Sequence, residues 1–148
     1  MPRCKVVPEL LCSNLDVSLD FYLNLAGFEV LYDRPENRFA YLGMDGAELM
    51  LDETPEVSDD AILDQDSDWW TAPATKPYGR GINLQIEVSD VQAIHDRLDK
   101  AKWPLFRPLE DQWYRAGDIE VGNREFLVQD PDGYLLRFFS DLGERNTT

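Results

Sequence analysis

The residues of this chain best suited to chemistry are aromatic rings accompanied in the sequence by carboxylates. Aromatic residues make up 11% of the 148 residues and gather in three short stretches. Rings stack on flat heteroaromatic molecules, and both rings and carboxylates attract cations. The pattern therefore indicates a stacking site for a flat, positively charged ligand, and packing in a core or an interface is the alternative for each ring. The candidate ligand-binding residues are Tyr32, Asp33, Phe39, Tyr41, Trp69, Trp70, Glu110, Asp111, Trp113 and Tyr114.

The sequence patterns that usually mark catalysis are absent. There is no Gly-x-Ser-x-Gly nucleophile turn and no phosphate-binding glycine loop. The only histidine, His95, lies in a predicted helix and is interpreted as a solvated surface residue, so Cys4 and Cys12 have no histidine to activate them. We therefore predict no catalytic residue and no cofactor, and we expect two reduced thiols in a cytoplasmic protein.

Net charge and hydropathy narrow the possible partners. The formal net charge is −15, which disfavours nucleic acid because phosphates repel such a surface. No apolar run approaches the roughly 20 residues that a membrane span requires. The charge would attract a cationic small molecule, although solubility alone also explains it.

The elements that must position these residues form two similar series. In the first series, residues 6–12 predict a strand, and a helix follows with Ser13 or Asn14 as its N-cap and Gly27 as its stop. Strands are then predicted at residues 28–32, 39–42 and 48–51, with a polar turn at residues 33–37.

The second series repeats this order after an acidic connection. Residues 82–88 alternate between apolar and polar side chains, which predicts a half-buried strand. Ser89 is the predicted N-cap of a helix that Pro104 terminates. Strands are predicted at residues 105–108 and 113–116, and a hairpin closes the chain around the turn at residues 130–133.

Matching dipeptides support a duplication: Asp16-Val17 and Asp90-Val91 open the helices, and Asp45-Gly46 and Asp132-Gly133 lie in hairpin turns. The predicted fold is α+β, with one domain spanning residues 1–148. It consists of a βαβββ module at residues 6–52, a connection at residues 53–80 that carries two tryptophans, and a second βαβββ module at residues 81–140.

Three stretches of sequence resemble a known superfamily. Residues 15–22 with Gly27-Phe28 resemble the opening helix signature of the vicinal oxygen chelate superfamily, which is also called the glyoxalase/bleomycin resistance/dioxygenase superfamily. Arg124-Glu125-Phe126 with the turn at residues 130–133, and Val7-Pro8-Glu9-Leu10, resemble its bleomycin resistance protein branch. The resemblance covers about residues 6–140. It implies a curved mixed sheet around a cleft and a homodimer, and it leaves open whether the first strand is exchanged at Pro8.

The resemblance also assigns four positions to metal ligands in the enzymes of the superfamily. These positions fall at about Val7, Met50, Gly81 and Arg137, none of which offers a carboxylate or an imidazole. The resemblance therefore implies a protein without a metal site. A slipped register that recruits Glu9, Glu48 and Glu87 is the alternative.

The function that this resemblance implies is metal-independent binding and sequestration of a bleomycin-type glycopeptide antibiotic. Such a drug carries a planar bithiazole, which rings can stack on, and a cationic tail, which carboxylates can hold. One alternative is a metal-dependent lyase, isomerase or dioxygenase of the same fold. Another is a binding module for a different aromatic metabolite.

Overall fold

The computed structural model describes residues 3–54, 69–72 and 74–147, which form two compact units. Unit 1 contains residues up to Arg80 together with Pro131–Tyr134, and unit 2 contains Gly81–Asp130 and the residues from Leu135 onward. Most of the acidic connection, residues 55–68, lies outside the described residues. No helix among the described residues is long and apolar enough to cross a membrane.

Unit 1 is a four-stranded mixed sheet with one helical segment. The elements are β1 (Glu9–Cys12), α1 (Leu15–Leu19) with a π-helical continuation (Asp20–Ala26), β2 (Glu29–Arg34), β3 (Phe39–Met44) and β4 (Ala47–Glu53). Strand β1 pairs in parallel with β4, and the other pairings are antiparallel, in the order β1-β4-β3-β2.

The helical segment begins and ends as the sequence predicts. The Asn14 side chain accepts a hydrogen bond from the Val17 N–H at 3.1 Å, which satisfies a backbone donor of the first turn. Gly27 ends the segment with φ 97°. The wide π-helical turn was not predicted: the Gly27 N–H bonds to the Tyr22 carbonyl, five residues back, at 3.0 Å.

The hairpins of unit 1 follow their turn residues. Asp45 and Gly46 have φ of 49° and 91°, as a two-residue turn between twisted antiparallel strands requires. The turn predicted at residues 33–37 is shorter than expected. Asp33 and Arg34 continue β2 because they pair with Ala40 and Phe39, which leaves Pro35–Asn37 as a single 3₁₀ turn.

Unit 2 repeats this topology. Its elements are β5 (Asn83–Glu87), α2 (Val91–Lys100), β6 (Leu105–Ala116), β7 (Ile119–Gln129) and β8 (Leu135–Asn146). The strand order is β5-β8-β7-β6, with β5 and β8 parallel. The predicted α+β fold of tandem βαβββ modules is confirmed, as two mixed four-stranded sheets.

Three local predictions in unit 2 were wrong. The N-cap of α2 is Asp90 rather than Ser89, because the Asp90 carboxylate accepts the Ala93 N–H at 3.1 Å. The helix ends at Lys100, well before Pro104, and Lys102 then turns the chain with φ 58°. The two strands predicted at residues 105–108 and 113–116 form the single strand β6, whose pairing with β7 shifts register before Glu110.

Candidate functional site

Two rows of side chains share one face of the unit 1 sheet. Residues paired directly across neighbouring strands point to the same side, and residues two apart along a strand do as well. The face therefore combines aromatic rings with both signs of charge. One row is Glu9, Met50, Tyr41 and Tyr32, and the other is Leu11, Asp52, Phe39 and Arg34.

The first predicted aromatic group lies on this face, packed against itself. Tyr32 stacks on Tyr41 with ring centroids 4.8 Å apart and planes 17° apart. The Arg34 guanidinium lies 3.9 Å from the centre of the Phe39 ring. Tyr41 and Phe39 are buried, and Tyr32 remains 39% exposed, so Tyr32 has the most ring surface left for a ligand. Asp33 pairs with Ala40 and therefore points to the opposite face.

The second predicted aromatic group borders a cavity of about 190 Å³ in unit 1. Four rings and two carboxylates line most of it. Tyr78 meets Tyr134 edge to face, with centroids 6.0 Å apart. The Trp70 indole nitrogen Nε1 is buried and has no hydrogen-bond partner among the described residues. The lining residues are Glu9, Leu11, Asp52, Trp69, Trp70, Ala74, Tyr78, Gly79 and Tyr134.

The surroundings of the two carboxylates of the cavity disfavour their charged forms. Partial burial raises the pKa of Glu9, and repulsion from Asp52 raises it further. Burial likewise raises the pKa of Asp52, and Arg34 opposes the rise at both carboxyls. A cation bound between the two would relieve both effects. The cavity can therefore stack a flat ring and hold its positive charge.

Several of these residues were not predicted as ligand-binding. Glu9 entered only as an alternative metal ligand, and Asp52, Tyr78 and Tyr134 were not singled out. Tyr134 follows the Gly133 turn directly, which is a local signal. Asp52 carries no comparable signal, because its place beside β1 depends on the parallel β1–β4 pairing.

The third predicted group lies on β6 in unit 2, where nearby side chains engage its acids. Glu110 forms an ion pair with Arg107 at 3.4 Å. Asp111 accepts two hydrogen bonds from Arg124, at 2.8 and 3.1 Å, which lower the pKa of the Asp111 carboxyl.

The two rings of this group also have neighbours. Trp113 lies beneath the Arg145 guanidinium at 4.1 Å and covers Gly122, where a Cβ would be only 2.7 Å from its ring. The Tyr114 hydroxyl donates to the Glu125 carboxylate at 2.7 Å. Their role in binding stays a prediction.

The strand register corrects one of the four positions assigned to metal ligands. Met50 on β4 pairs with Glu9, which lies two residues after Val7. Arg137 on β8 pairs with Gln85, so the residue of β5 equivalent to Val7 is Asn83 rather than Gly81. The helix caps agree, because Val7 and Asn83 each lie seven residues before an N-cap.

The corrected donor set does not fit a divalent ion. Val7 has no donor atom, Met50 offers a thioether and Asn83 a single neutral amide oxygen, whereas Arg137 brings a fixed positive charge. Across the described residues, no group of three or more His, Cys, Asp or Glu side chains could hold a metal ion. Glu48, an alternative ligand, accepts hydrogen bonds from the Cys4 N–H at 2.9 Å and the Tyr41 hydroxyl at 3.0 Å, and its pKa is lowered accordingly.

Comparison with known proteins identifies the family to which this fold belongs. The sequence model of the glyoxalase/bleomycin resistance protein/dioxygenase superfamily matches residues 6–138. Lactoylglutathione lyases of Neisseria meningitidis serogroups A and B are 31% identical over 130 residues, which cover 84% of this chain and 81% of theirs.

Solved structures agree with this result. TioX from Micromonospora sp. ML1 is 25% identical with a TM-score of 0.64, over 93% of this chain and 98% of its own. A protein of unknown function from Agrobacterium tumefaciens is 23% identical with a TM-score of 0.67, over 96% and 97%, and shares the fold. The curated relatives carry the name of a lyase, so the narrower assignment to the resistance branch stays a prediction. The chain belongs to the glyoxalase/bleomycin resistance protein/dioxygenase superfamily.

Proposed function

We propose that this chain is a metal-independent binding protein that sequesters a flat, cationic, ring-containing molecule of the bleomycin type. The observation that carries the proposal is the cavity of unit 1, where aromatic walls meet two carboxylates. The protein performs no bond chemistry in this function. It holds the ligand and keeps it from its target.

The size and lining of the cavity favour a ring fragment as the part that binds. Pockets for whole drug-sized ligands span roughly 300–1,000 Å³, whereas this cavity has about 190 Å³. A two-ring heteroaromatic segment suits that volume, with the rest of a glycopeptide lying outside. Each well-placed aromatic contact contributes about 0.5–1.5 kcal/mol beyond the burial of area.

The charges of the cavity favour a cation. Glu9 and Asp52 repel each other, and the pKa of each is raised, so a positively charged group between them would gain from both. The net charge of −15 adds a long-range attraction that accelerates capture at low ionic strength.

The side chains at the four positions that correspond to metal ligands favour binding without a metal. Val7, Met50, Asn83 and Arg137 occupy the positions that the resemblance assigns to metal ligands, and a guanidinium at such a position repels a divalent ion.

Titration of the purified protein with metal-free bleomycin and with Cu(II)-bleomycin, followed by tryptophan fluorescence and heat, tests the proposal. We expect saturation at one drug per chain with a sub-micromolar Kd, about −8 kcal/mol or better. Trp70→Leu removes an aromatic wall of the cavity and should weaken binding about tenfold. Trp103→Leu is the matched control, because Trp103 lies in unit 2, where its Nε1 donates to the Gln129 carbonyl at 3.0 Å. Absence of saturation up to about 100 μM would contradict the proposal.

A metal-dependent lyase is the second candidate function, and the 31% identity to the Neisseria meningitidis lyases favours it. Lactoylglutathione lyase turnover by the protein with added Ni²⁺, Zn²⁺, Mn²⁺ or Fe²⁺ would support the lyase over the binding protein. If bleomycin fails to bind and no turnover is seen, saturable binding of another cationic aromatic molecule would favour the metabolite-binding alternative.

We further propose that the binding protein is a homodimer, as the resemblance implies. Val6, in the segment before β1, is 83% exposed and would be covered if the first strand packs on a second copy. Light scattering should give twice the chain mass of 17.1 kDa, and the single chain mass would contradict a dimer.

A further inference from the structure

Arg137 is an arginine of unit 2 that no described carboxylate neutralises. It lies on β8, paired with Gln85 on β5 and with Leu127 on β7. Its Nη2 donates to the Gln85 side-chain oxygen, and its Nε is buried and has no hydrogen-bond partner among the described residues. Part of this guanidinium is therefore out of water and without an anionic partner, which is costly unless a ligand supplies one.

A shortage of carboxylates does not explain why Arg137 has no ion-pair partner among the described residues. The chain has 29 acidic and 14 basic residues. Arg107 on β6, Arg124 on β7 and Arg145 on β8 all form ion pairs, with Glu110, Asp111 and Glu120 respectively. Arg137 has a neutral amide as its neighbour instead.

The surroundings of Arg137 combine positive charge with an apolar surface. Its guanidinium lies 5.9 Å from the centre of the Tyr114 ring, and buried Leu127 lies between Arg137 and Arg107 in the cross-strand row. Burial and then Glu125 raise the pKa of the Tyr114 hydroxyl, and both arginines oppose that rise, so both positive charges act near that ring.

The buried carboxylate beside Tyr114 is already engaged. Glu125 accepts hydrogen bonds from the Tyr114 hydroxyl at 2.7 Å and from the Asn123 amide at 3.2 Å, and it is 3% exposed. It leaves Arg137 unpaired but disfavours a ligand with two negative charges.

We propose that Arg137 anchors a binding site for the carboxylate of a small aryl or alkyl carboxylic acid. The guanidinium matches a carboxylate in shape and charge, and the Tyr114 ring, on a side chain that remains exposed, gives its carbon body an apolar surface. One unpaired cation balances one negative charge, which favours a carboxylate over a phosphate dianion in this acidic protein. Arg137 occupies a position assigned by resemblance to a metal ligand, so a fixed cation of the protein would hold the ligand oxygen in place of a metal.

The test uses 2-naphthoate and its neutral counterpart 2-naphthamide as probes, with titration calorimetry and side-chain NMR of ¹⁵N-labelled protein. We expect saturable naphthoate binding that shifts the Arg137 Nε–Hε signal, with the amide about tenfold weaker or worse. Arg137→Gln should weaken naphthoate about tenfold or more, and Arg137→Lys less, because the charge remains. Arg115→Gln is the matched control: it removes the same charge from an exposed side chain that bonds the Gly117 carbonyl, and it should leave the affinity within about twofold.

Three results would overturn the inference. They are equal affinity for naphthoate and naphthamide, equal affinity of naphthoate for wild type and a folded Arg137→Gln, and inorganic phosphate that binds more tightly than naphthoate. The wild-type NMR shift does not depend on the folding of any variant. All residues of this site belong to unit 2, whereas the proposed cavity belongs to unit 1, so each can fail while the other stands.

Discussion

Replacement by alanine should destabilise the protein more at the turn glycine Gly133 than at the turn glycine Gly46. Both have positive φ, 103° and 91°, and both follow an aspartate in a hairpin turn. Replacement by alanine strains the backbone at either position by about 1–2 kcal/mol. The two differ in what a Cβ would meet.

At Gly46 a Cβ would meet no atom within 4 Å, so Gly46→Ala should cost the backbone strain alone. At Gly133 it would lie 2.4 Å from the Pro77 Cβ and 2.6 Å from the Pro77 Cα. The ring and backbone of a proline cannot rotate away, so an overpacking cost of about 1–3 kcal/mol adds to the strain. Gly133→Ala should therefore destabilise by about 2 kcal/mol more than Gly46→Ala, or about 4–8 °C in Tm for a chain of this size.

The Gly133 substitution should also affect binding, because the turn supports a wall of the cavity. The Tyr78 N–H bonds to the Asp132 carbonyl at 2.9 Å, and the Lys76 ammonium lies 3.3 Å from the buried Asp132 carboxylate. Displacement of Pro77 would move the Tyr78 ring that lines the cavity. Urea and thermal unfolding measure the stability difference, and titration with bleomycin measures the affinity. Equal destabilisation by the two alanines, or unchanged affinity in a destabilised Gly133→Ala, would refute this reasoning.

The remaining predictions concern pH. The pKa values of Glu9 and Asp52 are raised above their ordinary 4.5 and 3.8, so both carboxyls protonate at a higher pH than usual, and the affinity for a cationic ligand should fall as pH decreases through that raised range. Affinity measured from pH 7 to pH 4 should fall in wild type and stay flat in the Glu9→Gln, Asp52→Asn double variant; parallel curves would contradict the assignment. Hydrogen bonds from Arg38 and then from the Leu15 N–H at 2.8 Å lower the pKa of the Glu53 carboxyl. The Glu53 carboxylate therefore stabilises the fold fully above its unfolded-state pKa, and this stabilisation is lost as the pH falls through its folded-state pKa. Glu53→Gln should cost about 1 kcal/mol at pH 7, after allowance for solvent screening, and progressively less at acid pH; urea midpoints that differ equally at pH 7 and pH 3 would contradict this.

The sequence predicted the features that depend on neighbouring residues. An N-cap at Ser13 or Asn14, Gly27 as helix stop and a hairpin turn at Asp45-Gly46 all follow from the chemistry of one or two side chains, and the structure has Asn14 as the cap, Gly27 as the stop and Asp45-Gly46 in the turn. The local errors have local causes as well. Asp90 competes with Ser89 as the N-cap and provides a carboxylate that reaches the third residue beyond it.

The site could be predicted only in part, because its composition depends on strand pairing. Glu9 and Asp52 share a face since β1 and β4 pair in parallel across some forty residues of sequence, and no local pattern specifies that register. Among the predicted ligand-binding residues, Tyr32 and Tyr41 stack on each other, and the acids on β6 pair with arginines. Residue type alone cannot tell a ring that faces a ligand from a ring that faces another side chain.

Calorimetric titration of chelator-treated protein with metal-free bleomycin shows whether the protein binds this drug without a metal. We expect one drug per chain with a sub-micromolar Kd, about −8 kcal/mol or better. Addition of Ni²⁺, Zn²⁺, Mn²⁺ or Fe²⁺ should change this Kd by no more than about twofold. Binding that appears only after a divalent ion is restored, together with lyase turnover, would contradict this expectation.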